Sequence, residues 1–544
     1  MVEDADFVVV GAGSAGCAVA ARLSEDMEHR VVLLEAGGRD WNPFLRVPLM
    51  TRVLSASPRL NWGYTIEPEP NLNGRSMNWF RGKVLGGSSS INGMTYIRGH
   101  RRDFDDWRQR GCTGWSYDDV LPYFLRSEKN AAKGGPFHGQ DGPVGVSSSP
   151  FVHPLDEPFM AACQALGHKR TDFNGAEQEG YALHDFTVFG GKRSSTARAY
   201  LRPARGRPNL AVVTRAHATR VLVENGRAVG VEYARRGQRH VVRARREVIL
   251  SGGAINSPQL LMLSGIGDPE QLLAHGIAVV AAAPEVGRNL HDHLGVYLAH
   301  DCPQPVTLKN QLRYDKAALA IAQALLFGKG PATAVPINAC AFLRTRPELE
   351  IPDVQITLIP GLTGPWRPAR ADGLVTERPW QPPDREGFVV NVYQLRPESR
   401  GTLTLRSADP FAKPVIRANY LATPTDRRTL RDGLRLVRAI IAQKPFDPFR
   451  GPEIQPGATV TDDAALDRWV AAHSNTAYHP VGTCRMGGDE RSVVDPELNV
   501  RGVRGLRVAD ASVMPTVVGG NTNAAAIMIG EKAADLVLGR RIRG

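Results

Sequence analysis

The chain opens with two apolar runs that do not alternate. "FVVV" (7–10) ends at a glycine, and "RVVLLEAG" (30–37) ends at Glu35 and a second glycine. Short continuous apolar runs bounded by turn residues read as strands buried on both faces, the pattern of a parallel sheet. Between them "SAGCAVAARLSE" (14–25) has helical composition. The strand–turn–helix pattern returns at "REVILSGGAINSPQLLMLSG" (246–265), and "LRVADAS" (506–512) predicts a last buried strand ending in Asp510. "HATRVLVENG" (217–226), "DVQITLIP" (353–360), "GFVVNVYQL" (387–395) and "GTLTLRS" (401–407) read as further sheet strands. The apolar run "AALAIAQALLF" (317–327) predicts a buried helix and is shorter than the ~20 residues that span a bilayer. An alanine-rich stretch after Asn523 predicts a helix to about residue 537.

Composition narrows this picture. At 544 residues the chain is too long for one compact core, so two or more domains are expected. Hydrophobic content of 42% and charged content of 22% are globular values. The net charge of +12 comes mostly from arginine, since eleven of the 67 basic residues are lysine. The arginines are scattered through the chain, without the clustering and interleaved aromatics of a nucleic-acid surface, so no nucleic-acid partner is expected. Six cysteines with no CxxC spacing read as free buried thiols of a reducing compartment. The acidic start "MVEDADF", which enters a strand at once, does not read as a signal peptide, so none is expected. A cytoplasmic protein is expected, at most peripheral to a membrane.

Two glycine clusters carry the first chemistry. Gly11, Gly13 and Gly16 form GxGxxG between the first strand and helix, with Glu35 ending the second strand. That is the full context of a dinucleotide fold: a sharp turn at Gly11, room for a pyrophosphate at Gly13, close packing at Gly16, and a carboxylate for the ribose. Ser14, Ala15 and Ala36 flank these positions and join the expected cofactor set. The unit alone does not separate NAD from FAD. The second cluster, "RGKVLGGSSSINGMTYIRGHRRDFDDW" (81–107), is too polar for a strand and too glycine-rich for a helix interior. Gly86, Ser90, Asn92, Gly93 and Met94 offer it as a second contact for a large flat cofactor. "DFDDW" then reads as a helix start with Asp103 as its cap.

Here the chain resembles a known family. "GKVLGGSSSINGMTYIRGHRRDFD" and "GAINSPQLLMLSGIG" (253–267) are similar to the two signatures of the glucose–methanol–choline oxidoreductases, which are FAD enzymes. "VGRNLHDH" (286–293), "HPVGTCRMG" (479–487) and "GLRVADASVMPTVVGGNTNAAAIMIGEKAADLV" (505–537) follow in the family's order. The resemblance implies an α/β architecture: a Rossmann-type FAD-binding domain interleaved with an α+β substrate domain built on an antiparallel sheet. The expected division is 1–155, 208–297 and 460–544 for FAD, and 156–207 and 298–459 for substrate. It further implies contacts of Asp510 and Ala511 with the cofactor's pyrophosphate and ribityl region, and of Val221 with the adenine. Asn521 and Thr522 precede the last helix, whose positive N-terminal end would face the flavin where negative charge gathers on reduction.

By the same resemblance His479 is the catalytic base and Asn521 its partner in oxidising an alcohol. A neutral imidazole, with a reference pKa of about 6.5, suits removal of the hydroxyl proton. Tyr478 is either a pocket wall or a packing residue. Some family members hold FAD covalently through a histidine at the position of Ile91, so non-covalent FAD is expected. His291 and His293 are too few for a metal site and read as a structural turn, with no metal expected. "GLTGPWRPARADGLVTERPWQPPDREG" (361–387), with Trp366 and Trp380, reads equally as a lid over the pocket or a surface insertion. The whole pattern resembles most the bacterial alcohol, choline and L-sorbose dehydrogenases of the family. A choline-type site would want an aromatic box with a carboxylate, a set not identified in the sequence, so a neutral alcohol is favoured. A quinone-like electron acceptor is expected. The alternatives are an oxidase using oxygen, a non-redox or light-driven enzyme on the same fold, and a non-enzymatic FAD-binding protein.

Overall fold

The structure, a computed structural model, describes residues 4–362 and 385–540. The opening apolar runs form strands β1 (Asp4–Val10) and β2 (Val31–Glu35), joined through helix α1 (Ser14–Leu23). They pair in parallel, Phe7 against Val31 and Val10 against Leu34. The same sheet takes β3 (Leu210–Thr214), β4 (His217–Glu224), β5 (Arg227–Arg235), β6 (Gln238–Leu250) and, late in the chain, β7 (Leu506–Val508). Its order is β3-β2-β1-β6-β5-β4, with β7 also on β6. The pairs among β1, β2, β3, β6 and β7 are parallel; β4, β5 and β6 meander antiparallel. Helix α2 (Gly253–Leu263) follows β6, and α3 (Asn523–Val537) lies against α1. That contact is close because Gly530 has no side chain: a Cβ there would lie 2.5 Å from the Ala15 carbonyl oxygen. A Rossmann-type unit results, with its crevice at the carboxyl ends of β1, β2, β6 and β7.

A second seven-stranded sheet is antiparallel throughout. Its order is Glu453–Gln455, Leu294–Asp301, Gly387–Gln394, Val354–Ile359, Ala339–Leu343 and Gly180–Leu183. The short strand Asn475–Thr476 pairs with the start of Leu294–Asp301. The expected boundary at 297 thus falls inside a strand that starts at 294, and residues 475–476, expected with the first sheet, pair with the second. The helix Pro424–Ile441 covers this sheet, burying Leu430, Leu434 and Val437.

Three local expectations change. Thr402–Thr404 pairs with Val415–Arg417 in a separate two-stranded sheet. The run 317–327 is helical within Tyr314–Phe327, but only its narrow alanine face (Ala317, Ala320, Ala324) is buried, while Leu319, Leu326 and Phe327 are exposed. Methyl side chains let a helix approach the protein closely, and Ile321 and Leu325 pack partly buried beside that stripe. The helix Arg101–Gln109 is capped by His100, with Asp103 at its third position closing a capping box. Asp103 is buried and also accepts from the Gly519 N–H at 2.6 Å and pairs with Arg396. All six cysteines are free and buried. Among the described residues no helix is long and apolar enough to cross a membrane.

Candidate functional site: a glycine cradle and a histidine–asparagine pair

One cavity of about 500 Å³ begins at the strand ends of the first sheet and extends to residues 477–480, which follow the Asn475–Thr476 strand of the second. At its base, Gly11 turns the chain with φ +101°, and a Cβ there would lie 2.5 Å from the Ser251 carbonyl oxygen. Gly13 is the N-cap of α1, and no side chain caps that helix end. Thr522 is the N-cap of α3, again without a side-chain cap. The Ser14 hydroxyl donates to Asn523 Oδ1 at 2.7 Å and ties the two helix ends together. Two helix N-termini with open N–H groups therefore face one cavity, a setting that favours anionic and carbonyl oxygens.

Two carboxylates brace this cradle. Glu35 accepts from the N–H groups of Ala12 (2.9 Å) and Gly37 (2.7 Å). Burial raises its pKa to about 7, against the pull of those two donors. Asp510 accepts from the Gly253 N–H (2.8 Å), the Ser257 hydroxyl (2.6 Å) and the Ser512 N–H (2.8 Å). Burial raises its pKa as well. These side chains hold the turns, and they line the cavity while doing so.

Gly11, Gly13, Ser14, Ala15, Glu35 and Ala36 line the cavity as expected positions should, as do Asn92, Gly93 and Met94. So do Asp510, Ala511, Asn521 and Thr522. Four expected cofactor residues lie elsewhere. Gly16 sits behind the cradle, where a Cβ would meet the Gly11 carbonyl oxygen at 1.9 Å, so its role is packing. Gly86 and Ser90 shape the loop from behind: the Ser90 hydroxyl donates to the Leu85 carbonyl at 2.7 Å, and Gly87 and Ser88 take the lining positions. Val221 is buried in the core, its N–H bonded to Ser264 Oγ at 2.8 Å. Ala216, His217 and Ala218 line the cavity in its place, from the start of the same β4 region. The β period fixed the strand but not which end of it opens on the cavity. Trp366 and Trp380, and nearly all of the 361–387 stretch, lie outside the described residues.

At the other side of the cavity the second sheet delivers the histidine. The pairing of Leu294 with Thr476, and the bridge between His291 and Val481, bring two segments far apart in sequence side by side. Tyr478 takes a left-handed φ of +63°, held by its N–H donating to Thr476 Oγ1 at 2.8 Å and its ring stacked on Phe80. It is a pocket wall. Arg81 donates to the Tyr478 carbonyl, and burial brings the Arg81 pKa down to about 10. Asp292 accepts the His479 N–H at 2.5 Å and the Tyr420 hydroxyl at 2.5 Å. So anchored, His479 lies with Nε2 at 3.1 Å from Asn521 Nδ2. The Asn521 Oδ1 accepts from Gln355 Nε2 at 3.4 Å, which sets the amide with its NH₂ toward the imidazole. Burial, with lesser contributions from His293 and Arg81, holds His479 well below the ordinary histidine pKa, so it is a neutral acceptor at pH 7.

Sequence reasoning passed over three residues of this arrangement. His293 touches His479, Nδ1 to Nδ1 at 3.0 Å. Asp292 holds the loop, and the buried Arg193 donates to Asn92 Oδ1 at 2.9 Å, fixing that loop. The signal for the first two was in "NLHDH", but a contact across 186 positions is not written in either segment. His291 is engaged otherwise, at 2.7 Å from the Asn289 carbonyl and accepting from the Val517 N–H at 2.9 Å.

A cradle of bare backbone at two helix ends, followed by a basic nitrogen and an amide, fits FAD and an alcohol end to end. Comparison with known proteins agrees. The GMC oxidoreductase family profiles match residues 5–295 and 397–530. The oxygen-dependent choline dehydrogenases of Sinorhizobium medicae and Rhizobium etli are each 47% identical over 540 residues, covering 99% of this chain and 96% of theirs. Among solved structures, pyridoxine 4-oxidase from Mesorbium loti is 30% identical with a TM-score of 0.86, covering 97% of this chain and 98% of its own. A formate oxidase of Aspergillus oryzae is 28% identical with a TM-score of 0.90, covering 99% and 98%. The chain belongs to the GMC oxidoreductase family.

Proposed function

We propose that this protein oxidises a neutral alcohol to the aldehyde or ketone, using non-covalent FAD, with His479 as base and Asn521 as its partner. The observation that carries the reading is the 3.1 Å contact of His479 Nε2 with Asn521 Nδ2 on the wall of the cradle cavity. Gly11, Gly13, Glu35, Asn92 and the two helix ends would hold FAD, which would supply an acceptor for the alcohol's hydride. The protein's own part is the proton. Neutral His479 takes the hydroxyl proton at Nε2 as the alcohol is oxidised, and the Asn521 amide donates to the substrate oxygen and aligns it. Thr476, Tyr420 and Asp292 keep the histidine's loop from drifting. Ile91 stands where a histidine would carry a covalent flavin link, so acid precipitation should release all yellow colour to the supernatant.

The charge around the cavity favours a neutral substrate over an ammonium. Among its described lining residues the carboxylates are Glu35 and Asp510, both occupied with turn N–H groups. Arg52 and Arg81 add positive charge, which repels a quaternary ammonium. The decisive experiment is anaerobic reduction of the holoenzyme flavin by choline and by its uncharged isostere 3,3-dimethylbutan-1-ol. Faster bleaching by the isostere supports a neutral substrate; faster bleaching by choline overturns it. A quinone-like molecule is the proposed acceptor, with oxygen as the alternative that the relatives' name favours. Stoichiometric peroxide release would decide for oxygen. A peripheral membrane contact is proposed through the helix Tyr314–Phe327, whose exposed Leu319, Leu326 and Phe327 lie near Arg313, Lys316 and Lys329. Cosedimentation with phosphatidylglycerol vesicles, absent with phosphatidylcholine, is the expected result.

A further inference from the structure

His293 has no room for ambiguity in its protonation. Its ring is fully buried, with Nε2 at 3.2 Å from the Leu395 carbonyl oxygen and Nδ1 at 3.0 Å from His479 Nδ1. A carbonyl oxygen only accepts, so the Nε2 of His293 carries the hydrogen. A neutral imidazole has one N–H, which leaves His293 Nδ1 with its lone pair. Burial brings the His293 pKa down to about 4, so the ring is neutral at working pH. Two lone pairs cannot face each other at 3.0 Å in a dry site without cost, so His479 donates from Nδ1. Its lone pair then lies on Nε2, the atom that meets the Asn521 NH₂. The rings stand at 89° to each other, edge to face, which lets one nitrogen lone pair point at the other ring's N–H.

We propose that His293 is a positioning residue that locks His479 in the Nδ1–H tautomer, so that its basic nitrogen faces the alcohol. The lock runs from the Leu395 carbonyl through His293 to His479, and it rests on the reading of His479 as the base. When the alcohol proton arrives at His479 Nε2, the existing Nδ1–H bond to His293 stays in place. No bond has to rearrange at that moment, which is the advantage of holding the tautomer in advance. The opposite tautomer of His293 would set a bare Nε2 against the Leu395 carbonyl, and would leave His479 with its hydrogen on the atom that must accept one.

The test has two arms. Ring nitrogens of ¹⁵N-histidine-labelled protein, assigned by loss of signal in His479→Ala, report which nitrogen of His479 carries the proton, with or without FAD. The expected spectrum shows Nδ1 protonated and Nε2 bare, and a protonated Nε2 overturns the proposal. In the second arm, His293→Leu removes the acceptor and His293→Asn puts an amide oxygen near the place of Nδ1. The Leu variant should mix the tautomers and slow anaerobic flavin reduction by roughly tenfold or more, within the ~10²–10⁴ that a general base supplies, at unchanged flavin content. The Asn variant should recover most of the loss. Wild-type reduction rates in His293→Leu overturn the lock even where His479→Ala is inactive. Full activity in His479→Ala would instead overturn the reading of the base. If His293→Leu fails to fold, the tautomer measured in the wild-type protein decides alone.

Discussion

Two buried histidine clusters in this molecule show how neighbours decide what a histidine does. His138 lies between Glu128 (3.0 Å) and Asp172 (2.8 Å), in a network that also holds Arg98, Lys133 and Asp185. Burial opposes its charge, but the hydrogen bonds to Asp172 and Glu128 outweigh that cost and its pKa rises to about 9. It is a cation and a strut. His479 lies on the cavity wall, where its ring meets an imidazole and an amide, and burial drives it the other way. It is neutral and can accept a proton. The carboxylate nearest in chain to the second cluster, Asp292, is turned onto backbone and hydroxyl donors and away from the ring. The catalytic use proposed for the second cluster therefore depends on keeping negative charge off His479.

Removing the proposed base gives the largest expected effect. His479→Ala should lower the rate of anaerobic flavin reduction by ~10²–10⁴, with flavin content unchanged. Turning the neutral pair into a charged one comes next. Asn521→Asp puts a carboxylate about where the amide nitrogen now lies, and an opposite charge at that range raises a pKa by about 1–3 units. His479 should then hold its proton to higher pH than in the wild type, so the acid limb of the pH profile of flavin reduction moves upward; a profile that matches wild type would break the comparison.

The charged cluster makes a stability prediction of smaller size. The folded pKa of His138, about 9, lies above its unfolded value of about 6.5. Its contribution is present in full below the unfolded value and is lost as pH rises through about 9. Asp172 is held below the usual carboxylate range: burial opposes this, but the His138 hydrogen bond and Lys133 prevail. Its contribution is present above about pH 4 and fades in acid. Thermal melts should therefore show the Tm declining between about pH 6.5 and 9, and His138→Gln should flatten that decline. Last, the exposed Arg243–Glu224 pair, both side chains more than half exposed, should leave Tm unchanged when Arg243 becomes Ala, because solvent and salt screen it.

Much of the first sheet could be read before any coordinates. A strand buried on both faces has no choice but continuous apolar residues, and GxGxxG needs its glycines for steric reasons visible in the turn itself. Val221 does not line the cavity, because periodicity places a strand without saying which of its residues borders a cavity. The helix at 317–327 failed because an apolar run shows helix propensity and length, while burial depends on what lies alongside. Arg193 and His293 were missed for a third reason: their partners are more than a hundred positions distant, and nothing local marks the contact.

By itself, then, the sequence determined the strand–turn–helix cradle and the family, and it singled out the histidine and asparagine proposed for the site, because each rests on short-range sterics or on a motif of contiguous residues. Only the tertiary structure decided that Leu294 pairs with Thr476, that Asp292 turns away from the imidazole, and that His293 meets His479 through Nδ1. Those depend on how two interleaved sheets close upon one another, and a proton's place on a ring is set by the atoms that surround it.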